Sequence, residues 1–153
     1  MTAKPSRERP FADIAPVSAA VMRLAHEQRT VAATRLAALG LFPGQELVLA
    51  QLWAFDGCSQ KDLVESLRLD HSTIAKSVQR LERAGLVDRA RSSEDGRIVL
   101  VSLTASGRAL ERPVREIWTD LEARWADRLT ATELADFTEL AIKLGRNDER
   151  SSS

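Results

Sequence analysis

The 153-residue sequence predicts a mainly α-helical chain that carries one small β wing. Three observations predict it. Apolar residues recur at spacings of three and four along most of the chain, the mark of helices with one buried stripe. Over residues 86–90 and 98–103 the period changes to alternation, the mark of half-buried strands. Between these two runs Ser92, Ser93, Glu94, Asp95 and Gly96 form a polar hairpin tip.

The elements follow in order. Residues 1–16, with three prolines among scattered charges, read as a flexible N-terminal arm. Residues 17–39 carry Val21, Leu24, Val31 and Leu39 among alanines, a helix that Gly40 ends. Pro43 stands near the start of the next helix, with Leu47, Leu49, Leu52 and Trp53 as its apolar positions and Asp56-Gly57 as its stop. Ser59 with Asp62 three residues later is an acidic capping box, opening a short helix to about residue 66. A turn over residues 67–70 leads to Asp70 as the cap of a further helix, which Ala84-Gly85 closes with a left-handed glycine. After the hairpin, Leu110, Val114, Ile117, Leu121, Trp125 and Leu129 return to helical spacing, and Pro113 predicts a kink or break near its preceding turn. Leu134, Phe137, Leu140, Ala141 and Leu144 stripe a last helix, and residues 146–153 read as a disordered tail.

Lys plus Arg and Asp plus Glu both number 22, so formal net charge is zero. Any attraction to phosphate must therefore come from charges gathered on one face, not from bulk charge. No apolar run approaches the length of a membrane span, and the opening residues lack the apolar stretch of a secretory signal, so the cytoplasm is the expected compartment. A single cysteine, Cys58, excludes an internal disulfide framework.

The helix over residues 71–84 has two distinct faces at about 100° per residue. Ile74, Val78 and Leu81 fall together and must face the core. Ser72, Lys76, Gln79 and Arg83 lie opposite, with Thr73 and Arg80 to one side, and Glu82 sits beside the apolar stripe. The outward face thus offers hydroxyl, amide and cationic donors without an acidic residue, the groups that read base edges and phosphates in a major groove. A solvated surface helix is the plainer reading of the same face. Its context favours recognition: a short capped helix, a tight turn and then the polar-faced helix is the order of a helix-turn-helix. The following hairpin adds a wing bearing Arg89, Arg91 and Arg97, which reach toward DNA or simply solubilise a β edge, and Asp95 can pair with Arg97 to shape the tip.

The stretch LVESLRLDHSTIAKSVQRLERAGLVDRARSSEDGRIVLVSLTASGRAL, with DGR at Asp95–Arg97 and LTASG at Leu103–Gly107, resembles the MarR family of bacterial winged helix-turn-helix transcription regulators. The upstream LGLFPGQELVLAQLW is similar to that family's second helix. The resemblance implies a winged module over residues 41–103 and a helical dimerisation region over residues 17–40 and 104–145. It implies a homodimer with interlocked N- and C-terminal helices that places two modules in successive major grooves of a pseudo-palindromic operator, as a repressor. Ser72, Thr73, Lys76 and Gln79 are then the expected base readers, and Arg80, Arg83, Arg89, Arg91 and Arg97 the expected contacts to phosphate or minor groove. Gly96 and Asp95 shape the wing. Trp118, Leu121, Trp125, Phe137 and Leu140 are the expected dimer contacts, each with intramolecular packing as its alternative.

The resemblance further implies a small-molecule effector, an anionic aromatic, lodged between the dimerisation helices and the module. His26, Trp53 and Trp118 are candidates to line that pocket or are ordinary packing and surface residues. Cys58 is expected to be unreactive, since the oxidant-sensing branch of the family carries its cysteine near the N-terminus. A thiol-based regulator using Cys58 is one alternative, and a winged-helix adaptor that binds protein and not DNA is the other. No GxSxG, HExxH or glycine-rich phosphate loop is present, two isolated histidines and one cysteine offer no zinc set, and neither an enzyme nor a cofactor is expected.

Overall fold

The structure, a computed structural model, describes residues 10–145. The tail expected over residues 146–153 and the first nine residues of the expected arm lie outside that range. Its elements are α1 (Pro10–Ile14), α2 (Pro16–Ala37), α3 (Gln45–Ala54), β1 (Cys58–Ser59), α4 (Gln60–Leu67), α5 (His71–Arg83), β2 (Val87–Arg91), β3 (Val99–Leu103), α6 (Ala105–Ala109), α7 (Glu111–Ala126) and α8 (Ala131–Gly145). The arm expected over residues 1–16 needs correction in its second half: Pro10 opens a one-turn helix and Pro16 sits in the first turn of α2, where a proline loses no intrahelical hydrogen bond.

The capping signals act as the sequence predicts. Ser59 Oγ accepts from Asp62 N–H at 3.1 Å while the Asp62 carboxylate accepts from Ser59 N–H at 2.8 Å, a reciprocal box that starts α4. The turn into α5 is tightened by Arg68, whose φ of 52° is left-handed without being glycine. Gly85, at φ 71°, ends α5 and directs the chain into β2. The predicted long helix breaks at Leu110, three residues before Pro113, so that the proline falls in the first turn of α7.

The sheet has three strands, not the expected two. β1 pairs with β3 and β3 with β2, all antiparallel, in the order β1-β3-β2. The extra strand is the two-residue run Cys58–Ser59, too short to show a period. Asp56 braces this side: one carboxylate oxygen accepts from Leu103 N–H at 2.8 Å and the other from Arg108 Nη1 at 2.9 Å, tying α3's exit to β3 and α6.

The core lies where these elements meet. Leu36, Val48, Leu49, Leu52, Leu63, Ile74, Val78, Leu81, Val87, Val101 and Leu121 have no exposed surface. α6 joins this core to the long C-terminal helices through a close approach at Gly107, where any Cβ would collide with the Leu86 carbonyl oxygen. Trp53 Nε1 donates to the Gly107 carbonyl at 3.0 Å, and Thr104 Oγ1 to the Gly85 carbonyl at 2.7 Å. Among the described residues, no helix is long and apolar enough to cross a membrane.

Candidate nucleic-acid interface

Burial of Ile74, Val78 and Leu81 fixes how α5 is rolled on the core. The same roll leaves Ser72, Thr73, Lys76, Gln79, Arg80 and Arg83 exposed. The expected base readers and two of the expected backbone contacts thus share one face of one helix. At its N-terminus Asp70 accepts from Thr73 N–H at 2.8 Å, the capping bond. The two hydroxyls nearest that end are also committed to Asp70: Ser72 Oγ donates at 2.6 Å and Thr73 Oγ1 at 2.6 Å. These bonds, Ser72's foremost, hold the Asp70 carboxyl far below its ordinary range. Each hydroxyl proton is therefore spent inward, and the oxygen lone pairs are what the face presents. Arg80 lies with its guanidinium 5.5 Å from the centre of the exposed Phe42 ring, a cation–π contact that props it from the α2–α3 loop.

The wing stands beside that face, and its three arginines differ. Arg97 donates from Nε to Asp95 at 3.1 Å, and its backbone N–H meets the same carboxylate at 3.0 Å, so the expected Asp95–Arg97 pair forms while the Arg97 side chain stays 90% exposed. Arg91 reaches across the hairpin and donates from Nη1 to the Gly96 carbonyl at 2.9 Å. Arg89 points elsewhere. Its Nε and Nη2 both donate to Glu82 Oε2 on α5, at 2.9 and 2.6 Å, so its fork is occupied within the chain.

The MarR family model matches residues 41–99, the span from the start of α3's approach to the first residue of β3. An HTH-type transcriptional repressor of Mycobacterium tuberculosis is 31% identical over 135 residues, covering 88% of this chain and 97% of that protein. The chain belongs to the MarR family. The organic hydroperoxide resistance transcriptional regulator of Bacillus subtilis is 40% identical over 73 residues, and the match spans half of that protein's length. Among solved structures, a MarR mutant from E. coli complexed with operator DNA superposes with a TM-score of 0.81 at 25% identity, covering 90% of this chain and 99% of that one. The PcaV transcriptional regulator from Streptomyces coelicolor, in complex with its natural ligand, gives 0.74 at 28% identity over 94% of this chain and 96% of that one. The MarR family is made up of transcriptional regulators, not enzymes.

Within this MarR fold, Trp53 and Trp118 line one groove between α3 and α7, together with Glu46, Leu47, Val114 and Arg115. His26 does not join them: it is an exposed residue of α2 away from that lining. The sequence reading missed Glu46, which is only 6% exposed and whose carboxylate accepts from Gly44 N–H at 2.7 Å; burial pushes its pKa up. An acidic residue in the first turn of a helix reads as a dipole partner, and α3 is apolar all round, so no period marks Glu46 as buried.

The expected dimer contacts divide. Leu121 must be reassigned, because it is fully buried within its own chain, and Trp118 is half-buried against the same core. The positions on α7 that carry the apolar period face α2 and α3, which sequence spacing alone does not reveal. Trp125 meets Phe137 of α8 edge to face, with ring centres 5.8 Å apart. Leu140 is 56% exposed, and α8 has no buried residue at all. Cys58 pairs in β1, and its thiol is pushed up first by burial and then by Asp62, the opposite of what a reactive thiolate requires.

Proposed function

We propose that the chain is a homodimeric repressor that acts in the cytoplasm on pseudo-palindromic operator DNA and is released by a small-molecule effector. The observation that carries DNA binding is the outward face of α5, exposed, free of carboxylates and set beside a cationic wing. Lys76 and Gln79 are the proposed readers of base edges. Ser72 and Thr73, with their protons held by Asp70, are proposed to accept hydrogen bonds from exocyclic amino groups of adenine or cytosine. Arg80, Arg83, Arg91 and Arg97 are the proposed contacts to phosphate or minor groove.

The dimer is supported by apolar surface that one chain leaves uncovered on its outer helices. Ile14, Val17, Val21 and Met22 on α1 and α2 and Leu140, Ile142 and Leu144 on α8 are each more than half exposed. Effector binding is supported by the groove lined by Trp53 and Trp118, whose aromatic walls suit a planar ligand; Arg115, paired with Glu111 at 2.8 Å, is the cation on its lining that an anionic ligand would draw away from that partner. Such a ligand would favour a dimer whose two α5 helices no longer match the groove spacing.

Capture of genomic fragments on the purified full-length protein, followed by sequencing, tests this reading. Enrichment of fragments sharing two inverted half-sites about one helical turn apart is the expected result. Recovery indistinguishable from uncoated resin would overturn it and favour the protein-binding adaptor, which the zero net charge also suits.

A further inference from the structure

We infer that Glu82 is a positioning residue for the wing and that Arg89 is its strut, not a contact to DNA. The inference rests on the DNA-binding reading above and deepens it, by sorting arginines that the sequence pattern groups together.

Glu82 is in the last turn of α5 and Arg89 in the middle of β2, so the pair joins the DNA-facing helix to the wing across the Gly85 turn. Two donors of one guanidinium converge on one carboxylate oxygen, a charge-assisted arrangement that fixes direction as well as distance. It favours the charged form of both groups: the Glu82 carboxyl is held below its usual range by Arg89, and the Arg89 guanidinium is pushed up by Glu82. Backbone bonding at the same joint comes from Gly85 N–H to the Glu82 carbonyl and Leu86 N–H to the Leu81 carbonyl, each at 2.9 Å, and from Thr104 N–H to the Leu86 carbonyl at 3.1 Å; Glu82–Arg89 adds a side-chain tie between α5 and β2 beyond that turn.

Charge decides the role. Glu82 is the one carboxylate on α5. Were Arg89 to leave it for a phosphate, a bare carboxylate would stand at the edge of the DNA-facing surface and repel the same backbone that Arg89 had joined. Keeping the pair closed cancels that charge and holds the wing in place at once. The other two arginines are differently placed. Arg91 donates to a neutral carbonyl and keeps its whole charge, and Arg97 projects almost fully into solvent. Phosphate neutralisation by the wing therefore falls first to Arg91, since Arg97, although 90% exposed, is itself paired with Asp95 through Nε and Nη2.

Fluorescence anisotropy on the most enriched genomic fragment, with salt varied, separates a strut from a phosphate contact. Each phosphate neutralised adds about 0.9 to the slope of log K against log salt. Arg91→Ala should lower the slope by about that amount. Arg89→Ala should weaken binding with the slope unchanged, and the charge swap Glu82→Arg with Arg89→Glu should recover affinity that Arg89→Glu alone loses. Both residues keep more than a third of their side-chain surface exposed, so the substitutions leave the core intact. A slope lowered by Arg89→Ala as much as by Arg91→Ala, with no recovery in the swap, would overturn the strut while leaving DNA binding standing. Wild-type protein that bound no DNA at low salt would overturn both.

Discussion

The module from α3 to β3, which the C-terminal end of α2 joins through Leu36, and the outer segments α1, the N-terminal half of α2 and α8 treat their apolar residues in opposite ways. In the module Leu49, Leu52, Leu63, Ile74, Val78, Leu81, Val87 and Val101 are wholly buried, each against neighbours of the same chain. On the outer helices Ile14 is 81% exposed, Val17 68% and Leu144 75%. Both regions carry apolar residues at helical spacing in the sequence. The difference teaches that one region closes its core alone, whereas the other is complete only when something covers it, which we propose is a second copy.

The largest effect should come from the closed region. Leu49→Ala, which empties a fully buried site, should cost about 2 to 5 kcal/mol of folding stability in urea unfolding. A cost no larger than that of Leu140→Ala in the same assay would break the comparison. Next, Leu140→Ser should weaken self-association by about 2 kcal/mol, read as a shift toward monomer in sedimentation, while barely moving urea unfolding of dilute protein. Unchanged sedimentation would mean that α8 is not covered by a second chain. On the DNA-facing side, Lys76→Ala should cost about 1 to 3 kcal/mol on the captured operator and relax preference at one position. Equal losses on operator and random DNA would place Lys76 on the backbone and not on a base.

The smallest effect is acid sensitivity, because the groups concerned are solvent-exposed. Asp62, Asp70, Glu82 and Asp95 are all held below their ordinary values of 3.8 or 4.5, with Ser59, Ser72, Arg89 and Arg97 respectively the leading causes. The unfolded chain therefore binds protons before the folded one, and the stability these groups contribute, fully present above their ordinary values, is lost as pH falls through the lowered ones. Glu46 runs the other way, since burial raises it and protonation relieves that cost as pH falls through its raised value. The urea midpoint should decline on going from pH 5 to pH 3. A midpoint that rose over that range would give Glu46 the greater weight.

Much of this was legible in the sequence where a signal is local. Caps at Ser59 and Asp70, the left-handed Gly85, the break ahead of Pro113 and the polar face of α5 each follow from residues within a turn of one another. What escaped depends on contacts between distant segments. β1 is too short for periodicity, Asp56 reads as a turn residue although it bonds Leu103 and Arg108 some fifty positions away, and Gly107 looks like a motif glycine until Leu86 is seen against it. Likewise, spacing marks Leu121 as apolar but not whose core it fills, and it counts Arg89 as a free cation because Glu82 belongs to another element.

The central claim is best tested by fluorescence anisotropy of the purified protein on the intergenic DNA beside its own gene, with random DNA as control and salt varied. The account predicts tight binding to that fragment or to a captured operator, weaker binding to random DNA, and an affinity that falls steeply with salt. Equal, salt-insensitive signals on every DNA would contradict it.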